Sequence, residues 1–208
     1  MGPLEWVACY VYTVYVDTSQ RILKAARKAF DKKGLEGLSL RDIAKEVGIT
    51  PMAIYRHYEN KQALIDALVL DALGAWTARV SALPDVPLMQ KFDQIGDAFL
   101  DFALEQPRRF EAAFLVHSRA ARRYPDDFES GQSPVGALQL RLMENAKDEG
   151  LLADVPPIEI LITTAGLSQG LVTLYRAGRI AGGEAEFRKL FRRAMRRCMN
   201  SFRKEKSS

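Results

Sequence analysis

Residues 39–61 read SLRDIAKEVGITPMAIYRHYENK, and their order decides the fold class. Ser39, followed three residues later by Asp42, has the form of a capping box, which satisfies the free amides at a helix start. Leu40, Ile43, Ala44 and Val47 then recur at helical spacing and give a short helix one apolar face. Gly48 ends it, because glycine takes the left-handed conformation of a helix terminus without steric penalty. Thr50 is a good N-cap and Pro51 a favoured first-turn residue, so a second helix opens almost at once, with Ile54 and Tyr58 on its inner side. Two short helices about one tight turn, over residues 39–58, have helix-turn-helix spacing. In such a motif the second helix lies in the major groove of DNA while the first crosses the backbone.

The flanking sequence extends the helical pattern in both directions. Upstream, Asp17 or Thr18 is placed to cap a helix with Ile22, Ala25, Ala26 and Phe30 inward, and Gly34 supplies its stop. Downstream, Asn60 caps a long helix through Leu64, Ile65, Leu68, Ala72 and Trp76, a strut leading out of the N-terminal unit. Beyond Pro84–Pro87, helices are expected near 88–105, 107–120, 133–149, 156–178 and 184–203, and no stretch alternates with a strand's period. The fold class is all-α: a three-helix helix-turn-helix domain over 16–76 joined to a larger helical domain over 77–208. Residues 1–16 stand apart, because VACYVYTVYV is β-branched and aromatic without helical period. They read as an extension with little role, or as an arm that packs on a partner.

Composition bounds the function. The 208 residues are 48% hydrophobic and 27% charged, as in ordinary globular proteins. No run approaches the roughly 18 apolar residues of a transmembrane helix, so no membrane partner is expected. Cys9 and Cys198 are far apart, which argues against a disulfide framework and fits a reducing cytoplasm. Net charge is only +4 but unevenly spread: Thr18–Lys61 holds ten Lys and Arg against five acids, so the whole positive excess lies in one short segment. That segment suits a polyanion.

Three tracts carry a resemblance: TSQRILKAARKAFDKKG from residue 18, LSLRDIAKEVGIT from residue 38, and AIYRHYENKQALIDAL from residue 53. Over residues 18–70 the chain closely resembles the N-terminal domain of the tetracycline-repressor (TetR) family. The resemblance implies an Ω-shaped homodimer, usually a repressor, whose C-terminal domains bind a small-molecule effector that weakens DNA affinity.

Individual residues agree with that pattern. Thr50 and Tyr55 present hydroxyls, and Arg56, His57 and Lys61 present donors, for phosphate contacts that fix register without reading sequence. A cation at Lys61 opposes the macrodipole of its helix by a few tenths to about 1 kcal/mol unless an anion such as a phosphate lies close. Pro51, Met52 and Ala53 match the family positions facing the groove and are apolar, which favours thymine-methyl or shape contacts over bidentate hydrogen bonds. Arg56 and Arg41 are the candidates for polar base contacts, with a phosphate as the alternative partner for Arg41. His57 is not expected to hold a metal, since the only other histidine, His117, is remote in sequence and no Cys or acidic cluster accompanies either.

The C-terminal half is less explicit. TTAGLSQGLVTLYRAGRI, residues 163–180, resembles the penultimate helix of many family members, and Gly166, Ser168 and Gly170 would admit a close neighbour. With Leu174 and the last helix, through Phe187, Phe191 and Met195, it is a candidate half of a four-helix dimer interface; the same residues also suit packing within one subunit. The last helix is rich in arginine, read as a solvated helix end rather than a second nucleic-acid patch. Candidate lining residues for an effector pocket are Trp76, Phe92, Phe99, Phe102, Phe114, His117 and Tyr175, although aromatics at helical spacing are more often core. The chain carries no Gly-rich phosphate loop, nucleophile elbow or metal spacing, so neither enzyme activity nor a cofactor or metal is expected. Two classes remain: a ligand-responsive DNA-binding regulator of a palindromic operator, or a helical ligand-binding or interaction protein whose helix-turn-helix no longer reads DNA.

Overall fold

The structure, a computed structural model, describes residues 3–204, with side chains from residue 17 onward. Its elements are α1 (Pro3–Lys33), a 3₁₀ turn (Gly34–Gly37), α2 (Leu40–Val47), α3 (Pro51–Ile54), α4 (Lys61–Ser81), α5 (Leu88–Glu105), α6 (Pro107–Phe114), α7 (Asp126–Glu129), α8 (Pro134–Asp148), α9 (Pro157–Arg176) and α10 (Gly183–Ser201). Among the described residues the only β-type pairing is an isolated bridge between Leu152 and Arg203.

The chain divides into two compact units. The first takes Met1–Gly74 and Pro107–Ala121, the second Ala75–Gln106 and Arg122–Ser208. The first break falls inside α4, two residues from the boundary expected at 76. The inclusion of 107–121 in the first unit departs from the sequence reading, which placed it with the C-terminal domain. Its cause is a set of polar ties from α4: Asp71 Oδ2 pairs with Arg109 at 3.5 Å and Arg27 at 3.2 Å. Asp66 Oδ1 accepts from the Ser118 hydroxyl at 2.7 Å. Phe110, Ala112, Ala113 and Val116 are buried in the same unit.

Within this unit, Ile22, Ala26 and Phe30 of α1 meet a core that includes Leu38, Ile43, Val47, Ile54, Leu64 and Leu68. Gly34 turns the chain at φ +65°, a conformation glycine takes readily, and a Cβ there would approach Arg108 Nη1 to 3.3 Å. Two expectations are corrected. Helix α1 does not begin at a cap on Asp17 or Thr18 but runs unbroken from Pro3; no Gly or Pro lies between Leu4 and Lys33, and β-branched residues lower helix propensity only slightly. The side chains of residues 3–16 lie outside those described, and with them the role of that segment. Helix α6 ends at Phe114 rather than near 120, because the Ser118 hydroxyl turns to Asp66 and accepts the Ala120 amide at 3.0 Å, a local bond that competes with helix.

The second unit packs α10 against α9 and α5, and α8 against α9 and α5. Its core includes Trp76, Phe92, Phe99, Phe102, Leu140, Met143, Ile160, Val172, Phe187, Phe191 and Met199. The buried Lys91 ammonium donates to the carbonyls of Leu83 (3.2 Å) and Pro84 (2.8 Å), closing the turn between α4 and α5. A ladder joins α5 to α10: Arg188 with Asp101 (2.5 Å), Arg192 with Asp97 (2.6 Å) and Arg196 with Asp93 (2.5 Å). The four-residue spacing on each antiparallel helix brings successive rungs to one face. Three arginines read as a solvated helix end are therefore ion-paired to α5.

Candidate nucleic-acid interface

The helix-turn-helix is fixed at each joint by the groups the sequence offered. Ser39 Oγ accepts from the Asp42 amide at 3.3 Å and starts α2. Gly48, at φ +77°, ends it: the Gly48 amide donates to Lys45 O at 3.3 Å and the Ile49 amide to Ala44 O at 3.0 Å, satisfying two terminal carbonyls. Thr50 Oγ1 accepts from the Ala53 amide at 3.2 Å and opens α3, with Pro51 in its first turn. The regular helix is only four residues long. Helical bonds nevertheless continue, with the His57 and Tyr58 amides both donating to Ile54 O at 2.9 Å. Asn60 Oδ1 then accepts from Ala63 N at 2.9 Å and begins α4.

Helix α1 holds the motif at two points, the end of α2 and the end of the reading helix. The Arg21 guanidinium donates to Val47 O at 2.8 Å, at the C-terminus of α2, where a cation is favoured. At the far end of the reading helix, the Tyr58 hydroxyl donates to Ser19 O and accepts from the Ser19 hydroxyl, each at 3.2 Å. These two tethers were not picked out in the sequence, because the partners lie 26 and 39 residues apart.

Between the tethers, fully buried Ile54 anchors the reading helix, and its other side is open. Arg41, Thr50, Pro51, Tyr55, Arg56 and Lys61 are exposed, Met52 is 72% exposed, and Ala53 and His57 are half-buried. The nine proposed DNA-contact residues thus all lie in the reading segment or on the helices bounding it. Burial, followed by the Arg56 charge, holds the His57 imidazole below its ordinary range. On the α1–α2 side, Lys28 pairs with Glu46 at 2.5 Å, which spends one of the segment's cations locally.

A family model described as bacterial regulatory proteins, tetR family, matches residues 22–68, and a second, described as tetracyclin repressor-like, C-terminal domain, matches residues 92–198. The chain belongs to the TetR family. Both TetR domains are present, and the family consists of DNA-binding transcriptional regulators. The regulator YobS of Bacillus subtilis is 31% identical over 107 residues, 49% of this chain and 54% of that protein. The repressor AcnR of Corynebacterium efficiens is 27% identical over 189 residues, 88% of this chain and 94% of its own. TtgR of Pseudomonas putida is 46% identical over 57 residues, a match spanning only 27% of each. Among solved structures, a Rhodococcus sp. RHA1 protein of unknown function aligns with TM-score 0.73 at 22% identity, covering 90% of this chain and 96% of the other. A TetR-family regulator from Shewanella sp. PV-4 gives 0.68 at 21% identity, covering 90% and 99%.

In the TetR C-terminal domain the candidate dimer residues separate. Gly166, Gly170 and Leu174 are exposed on α9, and a Cβ built on either glycine would meet nothing within 4 Å. Ser168 is buried, its hydroxyl donating to Ala165 O at 2.9 Å. Phe187, Phe191 and Met195 are buried on α10, where Phe187 stacks on Tyr175 at 4.0 Å, so these three are core within the chain rather than an exposed face. Helix α9 is, by length and composition, long and apolar enough to cross a membrane, although polar residues interrupt its apolar sequence, and much of it is not buried within the chain. It lies inside the span of the TetR C-terminal model, as part of a folded domain.

The pocket candidates also divide. Trp76 packs edge-on to Phe99 (5.7 Å) and at a tilt to Phe102 (5.9 Å) in the second unit, whose core also takes Phe92, with Tyr175 half-buried there. Phe114 and exposed His117 belong to the first unit. Trp76, Phe99 and Phe102 therefore pack as an aromatic core cluster. Among the described residues no group of three or more His, Cys, Asp or Glu is arranged to hold a metal.

Proposed function

We propose that the chain is a cytoplasmic, non-enzymatic repressor that binds a palindromic duplex as a homodimer and is released from it by a small apolar or amphipathic effector, with no cofactor. The observation carrying this reading is the reading helix itself: fixed at Thr50, Ile54 and Tyr58, with Met52, Tyr55 and Arg56 exposed and the exposed cations Arg41 and Lys61 on the neighbouring helices. A preformed helix-turn-helix with cations at its borders suits a duplex, where phosphate contacts position and base edges specify. A lone reading helix makes too few contacts, so two-fold pairing is expected, and the exposed stripe of Ile162, Gly166, Gly170 and Leu174 on α9 is the face we assign to it. AcnR, similar over nearly its whole length, is named a repressor.

Release follows from linkage: an effector frees DNA only by preferring the DNA-free conformation, and coupling of about 1–3 kcal/mol changes affinity about 5- to 150-fold. We place the effector within residues 76–175. The test of DNA binding is a gel shift with the DNA upstream of the chain's own coding sequence and with a randomised duplex pool. A retarded species resistant to random competitor is expected; no retarded species with either would overturn the reading.

A further inference from the structure

We infer, on the basis of the DNA-binding reading above, that Tyr58 and Ser19 are positioning residues for sequence recognition: the bonds between them set the tilt of the reading helix, and with it the discrimination of operator from random DNA, while neither side chain touches DNA. The regular part of that helix is only Pro51–Ile54, and Ile54 is its one buried residue. A single apolar anchor fixes how deep a helix sits but resists rotation about the anchor weakly, because apolar contact has no preferred direction. Hydrogen bonds do have one. Tyr58 lies four residues beyond Ile54, about 6 Å further along the axis, and its amide donates to Ile54 O at 2.9 Å. Its hydroxyl donates to Ser19 O and accepts from the Ser19 hydroxyl, each at 3.2 Å, so two directional bonds meet at one oxygen. Ser19 is an interior residue of α1, whose Ile22, Ala26 and Phe30 are buried, so the far end of the reading helix is tied to a fixed element. Two residues along α1, Arg21 donates to Val47 O at 2.8 Å, and one helix thereby holds the motif on both sides of its turn. Contacts to base edges need geometry held within about 0.5 Å and 10–20°, whereas attraction to phosphates is long-range and indifferent to sequence. A loss of tilt therefore falls on discrimination and spares the electrostatic part of binding.

The experiment measures, for the full chain, affinity for a duplex enriched from a randomised pool and for random duplex, each across a salt series. Tyr58→Phe keeps the ring and removes the hydroxyl. It should bind the enriched duplex about 10-fold more weakly, toward the lower end of what one base-edge contact discriminates, with random-duplex affinity and both salt slopes unchanged. Ser19→Ala, which leaves Ser19 O as an acceptor, should lose part of that discrimination, and adding it to Tyr58→Phe should lose no more. Ser118→Ala is the matched control: it removes a hydrogen bond of the same unit away from the motif, and should keep full discrimination although it lowers stability. An equal loss on both duplexes in Tyr58→Phe overturns the inference, because it would put the hydroxyl on a phosphate. So does a matching loss in Ser118→Ala, which would make discrimination follow stability alone. If the parent enriches no duplex, the DNA-binding reading falls and takes this inference with it, whereas enrichment with discrimination intact in Tyr58→Phe overturns the inference alone.

Discussion

The Oδ1 oxygen of Asp66 on α4 accepts three hydrogen bonds: from the Ser118 hydroxyl at 2.7 Å, the Gln62 amide at 2.9 Å and the Arg119 backbone at 3.2 Å. Burial works to raise this carboxyl's pKa, but the bonds from Gln62, Ser118 and Arg119, with the Arg119 charge, outweigh it and leave it below the ordinary value. The bond crosses 52 residues and fastens 107–121 to the DNA-binding unit. Ser118→Ala should cost about 1 kcal/mol in chemical denaturation, as for a typical side-chain hydrogen bond. In native-state hydrogen exchange, 107–121 should open together with the first half of α4; opening with α5 instead would contradict the division into units.

Acid acts on His57 in a definite direction. Its folded pKa is lowered, chiefly by burial, so the unfolded chain takes up the proton first as pH falls through about 6.5. The stability contributed by the neutral imidazole is therefore present above that pH and lost progressively below it. Thermal melts from pH 7.5 to 5.5 should show the parent losing more stability than His57→Gln. Parallel curves would show that His57 titrates as it does in the unfolded chain.

Lys61 is exposed in the first turn of α4, where the helix dipole disfavours a cation. Assigned to phosphate, it should support binding to specific and random duplexes alike. Lys61→Ala should weaken both and lower the salt slope by about one unit. An unchanged slope would remove it from the interface.

The arginines of α10 should behave otherwise, because Arg188, Arg192 and Arg196 pair with Asp101, Asp97 and Asp93. Exposed pairs contribute about 0.2–1 kcal/mol each. Arg192→Ala with Arg196→Ala should leave DNA affinity and its salt dependence unchanged; a fall in affinity would restore the second nucleic-acid patch set aside in the sequence reading.

The unpacked stripe on α9 supplies a test of assembly. Leu174→Glu or Gly166→Arg, each at an exposed position, should yield monomers in sedimentation at micromolar concentration with little change in helix content. A parent protein that is already monomeric, with and without DNA, would contradict the assignment of this face.

The parts legible in the sequence were local. Ser39, Gly48, Thr50 and Asn60 announce helix ends because each bonds an amide or carbonyl within four residues, and the structure makes all four bonds or turns. The reading face followed once Ile54 was turned inward. The missed features join distant residues: Arg21 with Val47, Tyr58 with Ser19, Asp66 with Ser118, and the α5–α10 ladder spanning 87 to 103 residues. Charged and polar residues carry no mark of their partner, so the arginines of α10 looked solvated. Phe187, Phe191 and Met195 illustrate the converse ambiguity, since an apolar face announces burial but not whether the covering surface lies in the same chain.

Hydroxyl-radical footprinting of the enriched duplex, with the protein mass on it measured by sedimentation, tests the account at its centre. It predicts two protected half-sites related by a dyad, centred about 34–36 Å or a multiple of that distance apart, with two copies of the chain bound. A single protected tract held by one copy, or no protection at concentrations where the protein is folded, would contradict it.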